Sequence, residues 1–343
     1  MDDRRHRSAY VASVVVVRPP AHAAPRQAPP RTALPPVAGR YVLLDQVGAG
    51  GMGSVWRARD TRTGALVAVK VLGQHSAGLL ARFVREQAVR VRHPHVVAPT
   101  GWAAEDDLVL LAMDLVPGGS VQQLLDEHGP LPVGYAARLV EQLLMALAAV
   151  HAAGLVHRDV KPANLLLAPT DSTGTTDATG AGGATTPHLR LGDFGVAAPI
   201  ADRRFTTVPG AIGTDGYMAP EQARGAPPDP CQDLYSVGRV GLQLLTGLPP
   251  SRQGEIGSSR LRPLLERLLV VDPEQRLASA EAALRLLRRL DIPAEPGPVV
   301  TDRLPPLPPE RRTPTVDWPA WAGVAACLGV LVACALVVAG VLP

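Results

Sequence analysis

The chain has 343 residues, a formal net charge of +3 and three cysteines, Cys231, Cys327 and Cys334. So mild a basic balance, with no Lys/Arg block carrying interleaved aromatics, excludes a nucleic-acid footprint, and no nucleic-acid partner is expected. There is no CxxC pair and no Cys/His cluster, which excludes a zinc ribbon or a disulfide framework and agrees with a reducing compartment.

Residues 1–38 are rich in Pro, Ala and Arg without a sustained apolar period, and read as a disordered arm. Inside it, Val11–Val17 follows Arg4, Arg5 and Arg7 and precedes Ala21-His22-Ala23, the outline of a secretory signal. The shortness of that run and the acidic Asp2 and Asp3 favour a sticky patch in a flexible arm. Tyr41-Val42-Leu43-Leu44 should open the folded part as a strand. It feeds the loop Gly48-Ala49-Gly50-Gly51-Met52-Gly53-Ser54-Val55, and Val55–Arg59 should alternate as the next strand. Strand, loop, strand is the wrong context for a dinucleotide-binding GxGxxG, which opens a helix directly after its last glycine.

Lys70 ends the apolar run Val67-Ala68-Val69, where a cation is costly unless it meets phosphate oxygens and a carboxylate. Glu86 is the expected carboxylate, because Leu79, Phe83, Glu86 and Val89 recur at the spacing of one helix face. Leu139, Val140, Leu143, Leu144, Leu147 and Val150 predict a buried helix over 132–152 that delivers the chain to His157. Residues 169–187 are mostly Thr, Gly, Ala, Asp and Ser and read as a flexible insertion in a hairpin between Asn164 and Asp193. A further helix is expected through Leu234–Leu245.

After Leu290 the chain turns Pro-rich, so 292–319 reads as an extended juxtamembrane spacer, within which Pro306-Leu307-Pro308-Pro309 also fits a PxxP ligand. Residues 320–342 carry no charge. At about 1.5 Å per residue they reach about 34 Å, enough for a transmembrane helix across a hydrocarbon core about 30 Å thick. Trp318 and Trp321 suit the interface, and Arg303, Arg311 and Arg312 put the preceding domain on the cytoplasmic side of a single-pass span in the cell membrane. Ala322, Ala326, Gly329, Ala333 and Gly340, with Leu336, form a stripe of small residues through which two copies could associate as a homodimer.

One constellation carries chemistry. His157-Arg158-Asp159-Val160-Lys161-Pro162-Ala163-Asn164 is followed by Asp193-Phe194-Gly195 and Ala219-Pro220-Glu221, and preceded by the glycine loop and Lys70. In this order the motifs resemble the protein kinase family, specifically its bacterial Ser/Thr members, over residues 39–291. The resemblance implies an α+β two-lobed fold with a small β-rich N-lobe and a larger helical C-lobe, here followed by one C-terminal transmembrane helix. It also implies transfer of the γ-phosphoryl group of ATP to Ser/Thr hydroxyls of protein substrates.

Residue by residue, the resemblance makes Asp159 the group that takes or orients the substrate proton. Lys161 neutralises charge on the transferring group, Lys70 and Glu86 form the activating ion pair, and Asn164 and Asp193 hold magnesium, or manganese as the alternative. The ATP site would comprise Val47, Gly48, Ala49, Gly50, Gly51, Met52, Gly53, Ser54, Val55, Ala68 and Lys70, with Met113 as gatekeeper and Asp114-Leu115 as hinge. Lys161 and Thr214 match the Ser/Thr group rather than tyrosine kinases. Arg158 beside the catalytic carboxylate implies control by activation-loop phosphate, with Thr206 and Thr207 as phosphosite candidates. Glu221 and Arg276 should form a buried ion pair. Residues 250–261 are shorter than the family's usual connection, which carries its own helix. A non-catalytic scaffold and a small-molecule phosphotransferase are the competing classes. Intact Lys70, Asp159, Asn164 and Asp193 speak against the first, and Ala219-Pro220-Glu221 against the second.

Overall fold

Apolar alternation from Tyr41 onward builds an antiparallel sheet. In the computed structural model, which describes residues 36–50, 53–72, 91–105, 108–170, 187–194, 197–200 and 216–307, its strands are β1 (Tyr41–Gly50), β2 (Gly53–Asp60), β3 (Leu66–Leu72), β4 (Pro99–Glu105) and β5 (Leu108–Asp114), in the order β1-β2-β3-β5-β4. The expected strand, loop, strand is a hairpin in which Gly50 faces Gly53, and β1 runs on well past Leu44. Tyr41, Ala58, Val69, Leu110 and Ala112 are buried together in the small core of this lobe. On its other side, register pairs Val55 with Lys70 and Ala68 with Met113, so the motif-bearing strands lie next to one another.

The second lobe is helical: α1 (Val121–His128), α2 (Val133–Ala152), α3 (Pro220–Ala223), α4 (Pro230–Thr246), α5 (Arg262–Leu268) and α6 (Ala280–Arg289). α2 fulfils the helix expected over 132–152. It has the length and composition to cross a membrane, yet it is the core helix of the lobe. Leu139, Leu143, Leu144, Leu147 and Val150 are all fully buried, and the helix packs on α4 and α6. α4 starts at Pro230 rather than Leu234, because Pro230 occupies the first helical turn and the Asp229 carboxylate accepts from Cys231 N at 2.9 Å. The apolar period alone does not show that polar first turn.

Between the helices, β6 (Leu155–Val156) pairs with β9 (Ala198–Pro199), and β7 (Leu165–Ala168) pairs with β8 (His188–Leu191). The insertion thus leaves from the end of a hairpin in which Ala168 faces His188. The stretch 250–261 contains one 3-10 turn, Pro250–Arg252, and no α-helix. It is tied to α4 where Arg239 Nη2 donates to Pro250 O at 3.0 Å. The first part of the expected spacer is extended, as its prolines dictate, but it is seated on the helical lobe rather than standing clear of it: Val300 is buried and accepts from Thr170 N at 2.8 Å. The arm up to residue 35, the segment bearing Glu86, residues 171–186 of the insertion, and the expected span 320–342 lie outside the described residues.

Candidate active site

The loop after β6 is shaped by a carboxylate from α4. Asp233, fully buried, accepts from His157 N at 2.8 Å through Oδ2 and from Arg158 N at 2.7 Å through Oδ1, while His151 Nε2 contacts Oδ2 at 2.8 Å. Burial alone would raise this carboxyl, but the hydrogen bond and charge of His151 and the backbone N–H of His157 hold it below the usual carboxylate range. The clamp matters because Arg158 has φ 68°, a left-handed value that, like the φ of 59° at Asp193, costs on the order of 1–3 kcal/mol for a non-glycine residue. Gln222 Nε2 secures the other side of Arg158 by donating to its carbonyl at 2.9 Å. Burial also pulls the Arg158 guanidinium down from its usual value, with Asp233 opposing the shift.

His157 is buried beneath the loop and joins its two halves. Its Nε2 lies 3.0 Å from Gly192 O, so Nε2–H donates and Nδ1 is left to accept from Asp159 N at 3.3 Å. Phe194 stacks edge-on against the same imidazole with ring centroids 5.0 Å apart, which fixes the backbone that carries Asp193.

Above this base the charged groups converge. Lys161 Nζ lies 2.8 Å from Asp159 Oδ2. Asn164 Nδ2 donates to the same oxygen at 2.9 Å and to Asp159 O at 2.8 Å. Gly192 N donates to Asn164 O at 2.9 Å, so Asn164 and Asp193 are held as neighbours. From the sheet, Lys70 Nζ reaches Asp193 Oδ1 at 2.5 Å. The expected carboxylate for Lys70, Glu86, lies outside the described residues, and so do Gly51, Met52, Gly195, Thr206, Thr207 and Thr214.

Between the lobes is a cavity of about 590 Å³, lined by Val47, Gly48, Val55, Ala68, Lys70, Met113 and Leu115 among the residues expected to hold ATP, and by Asn164 and Asp193 at its polar end. That volume lies within the range of about 300–1,000 Å³ usual for small-molecule sites. Ala49, Gly50, Gly53 and Ser54 belong to the hairpin beside it, where Ser54 Oγ accepts from Trp56 Nε1 at 2.9 Å. Sequence reasoning missed Leu166, although the signal was present. In β7 the buried Leu165 and Leu167 alternate with it, so period two turns Leu166 into the cleft. It also missed Arg303, Leu304 and Pro305, which line the cavity from the far end of the chain.

The donor set fits a divalent magnesium-type ion. With the Asn164 NH₂ engaged by two Asp159 oxygens, the remaining polar atom of that side chain is an oxygen, and Asp193 adds a carboxylate, both hard ligands. Among the described residues no group of three or more His, Cys, Asp or Glu forms an all-protein cage. Two oxygen donors beside a polyanion site are how magnesium is ordinarily held.

A β-rich lobe with a glycine hairpin and a buried lysine, set over a helical lobe bearing this carboxylate, lysine and amide, defines a protein kinase domain. The protein kinase domain model matches residues 41–286, and the chain belongs to that family. It is similar to the serine/threonine-protein kinase PkaA of Streptomyces coelicolor, 36% identical over 286 residues that make up 74% of this chain and 50% of that protein. It is 34% identical over 292 residues to the serine/threonine-protein kinase pkn3 of Myxococcus xanthus, covering 74% of this chain and 50% of that protein. The serine/threonine-protein kinase PknA of Mycobacterium tuberculosis is 32% identical over 297 residues, 76% of this chain and 65% of that protein. The chain therefore spans about half to two thirds of the length of these relatives.

Proposed function

We propose that the chain is an active Ser/Thr protein kinase that transfers the γ-phosphoryl group of ATP to protein hydroxyls at the cytoplasmic face of a membrane. The observation that carries this reading is the convergence of Asp159, Lys161 and Asn164 on one loop, with Lys70 and Asp193 paired across the cleft. Asp159 accepts or orients the proton of the attacking hydroxyl, and Lys161 screens charge at the same place. Lys70 orients phosphate oxygens with Glu86 as its second carboxylate, and Asn164 and Asp193 hold the metal. When bound, magnesium, or manganese in its stead, neutralises negative charge on the phosphates. The test is incorporation of γ-labelled phosphate into a protein acceptor. Phosphoserine and phosphothreonine without phosphotyrosine are expected, and no transfer at all would favour the scaffold reading.

Control by the activation loop is part of the proposal. Arg158, whose backbone N–H donates to Asp233 at 2.7 Å next to Asp159, would supply the cation for a phosphate on Thr206 or Thr207. Mass spectrometry of the protein expressed alone should find phosphate there, and the Thr206→Ala, Thr207→Ala double variant should lose most of its activity. Phosphate confined to other segments, with full activity in that variant, contradicts this control.

Membrane attachment rests on the uncharged stretch 320–342 with its flanking Trp and Arg residues. The full chain should sediment with membranes through a carbonate wash, whereas a stop after residue 319 should release it. The small-residue face of that segment supports self-association, which would raise the local concentration of one kinase domain near another.

A further inference from the structure

Residues 293–305 leave α6 and run as an extended strap from the helical lobe to the mouth of the cleft, and their seat is built into the domain. Gly134 N donates to Glu295 Oε2 at 3.0 Å, and Tyr135 Oη donates to Pro298 O at 3.3 Å. Val300 and Thr170 exchange hydrogen bonds, with Thr170 N to Val300 O at 2.8 Å and Val300 N to Thr170 Oγ1 at 3.1 Å. The groove requires bare backbone at two points. A Cβ on Gly134 would lie 2.2 Å from Pro293 O, and one on Gly118 would lie 2.5 Å from Val300 Cγ1 and 2.3 Å from Leu167 O.

At its far end the strap touches the hinge and the β-rich lobe. Arg303 N donates to Pro117 O at 2.9 Å, and the Arg303 guanidinium grips Glu127 of α1 with both nitrogens, Nη2 to Oε2 at 2.6 Å. Arg57 on β2, nearly fully buried and paired with Asp45 at 2.6 Å, donates Nη1 to Pro305 O at 2.8 Å. Arg303, Leu304 and Pro305 then line the same cavity as Leu115 and Val47. Their partners Pro117 and Arg57 put them against the hinge, away from the Lys70–Asp193 end. About 590 Å³ stays open with the strap in its seat, so the strap walls the cavity rather than filling it.

We propose that the strap is part of the nucleotide site, with Arg303-Leu304-Pro305 forming a wall for the nucleoside end and tying the two lobes together, so that affinity for the nucleoside depends on its docking. This rests on the reading of the cleft as an ATP site. Because the strap lies at the hinge, it acts on binding more than on phosphoryl transfer.

The purified full chain should be compared with Val300→Asp, which puts a charge in the strap's buried anchor. If docking falls to about a tenth of molecules, apparent affinity for both ATP and adenosine falls about tenfold, because only the docked fraction binds. kcat at saturating ATP should change much less than KM. Arg303→Glu should weaken both ligands in the same direction, and adding Glu127→Arg should restore them, which decides the matter if Val300→Asp fails to fold. Unchanged affinities in the Arg303→Glu chain overturn the proposal. Tighter binding or a higher kcat/KM does so as well, since it would make the strap a plug. A loss confined to ATP with adenosine unaffected places the effect at the phosphate end and also overturns it. A wild-type chain that binds neither ligand removes the ATP-site reading and this proposal together, whereas a wild type that binds both, beside variants that match it, removes the proposal alone.

Discussion

Asp159→Asn should lower phosphoryl transfer by about 10²–10⁴-fold, the range for losing a positioned general base. In the native loop Asp159 Oδ2 takes two donors, Lys161 Nζ at 2.8 Å and Asn164 Nδ2 at 2.9 Å. An asparagine there keeps one oxygen for both donors, so the loop retains its internal hydrogen bonds. Its other atom becomes an NH₂, a donor where the attacking hydroxyl needs an acceptor. The substitution also removes a negative charge beside Lys161 without changing volume. Loss of activity should therefore come with an unchanged melting temperature and little change in ATP affinity, read by label incorporation beside thermal unfolding and nucleotide binding. A variant that phosphorylates at the wild-type rate would sink the assignment of Asp159.

What the sequence disclosed and what it hid divide along physical lines. α2 was legible because Leu139, Leu143, Leu147 and Val150 repeat at helical period and all face one core. The loop from His157 to Asn164 was legible because its residue types sit at fixed spacing along the chain, and the structure brings Asp159, Lys161 and Asn164 within hydrogen-bonding reach. The helix expected through Leu234–Leu245 did not show what Asp233 in its first turn holds. Its hold on the backbone of His157 and Arg158 crosses more than seventy residues, and no local pattern encodes such a contact. The strap was hidden for a related reason. Its prolines announce an extended backbone, but extension does not say whether a segment is solvated or docked. That is decided at the other surface, by Gly118, Gly134 and Tyr135, whose fit to Val300, Glu295 and Pro298 appears only once the lobe is assembled.

The ion pair expected between Glu221 and Arg276 is present and nearly water-free: Arg276 Nη1 meets Glu221 Oε1 at 2.7 Å and Nη2 meets Oε2 at 3.2 Å. The same guanidinium donates to three carbonyls, those of Cys231 at 2.6 Å, Val270 at 2.9 Å and Val271 at 3.3 Å. It thereby joins the segment carrying Ala219-Pro220-Glu221 to the start of α4 and to the turn after α5. Arg276→Met should destabilise the fold by about 3–5 kcal/mol, the cost of leaving a buried carboxylate without its cation. At about 2–4 °C per kcal/mol for a domain of this size, the melting temperature should fall by about 6–20 °C. Adding Glu221→Gln should recover only part of that loss. The double variant leaves no unpaired charge in this corner, yet the three carbonyls lose the guanidinium as a donor, and a buried group left unsatisfied costs about 1–3 kcal/mol. Nearby Cys231 offers no substitute, since burial pushes its thiol well up and keeps it neutral. Full recovery in the double variant would show that the carbonyl contacts contribute nothing and that charge pairing alone holds this corner; a single variant as stable as wild type would mean that Arg276 is not structural at all.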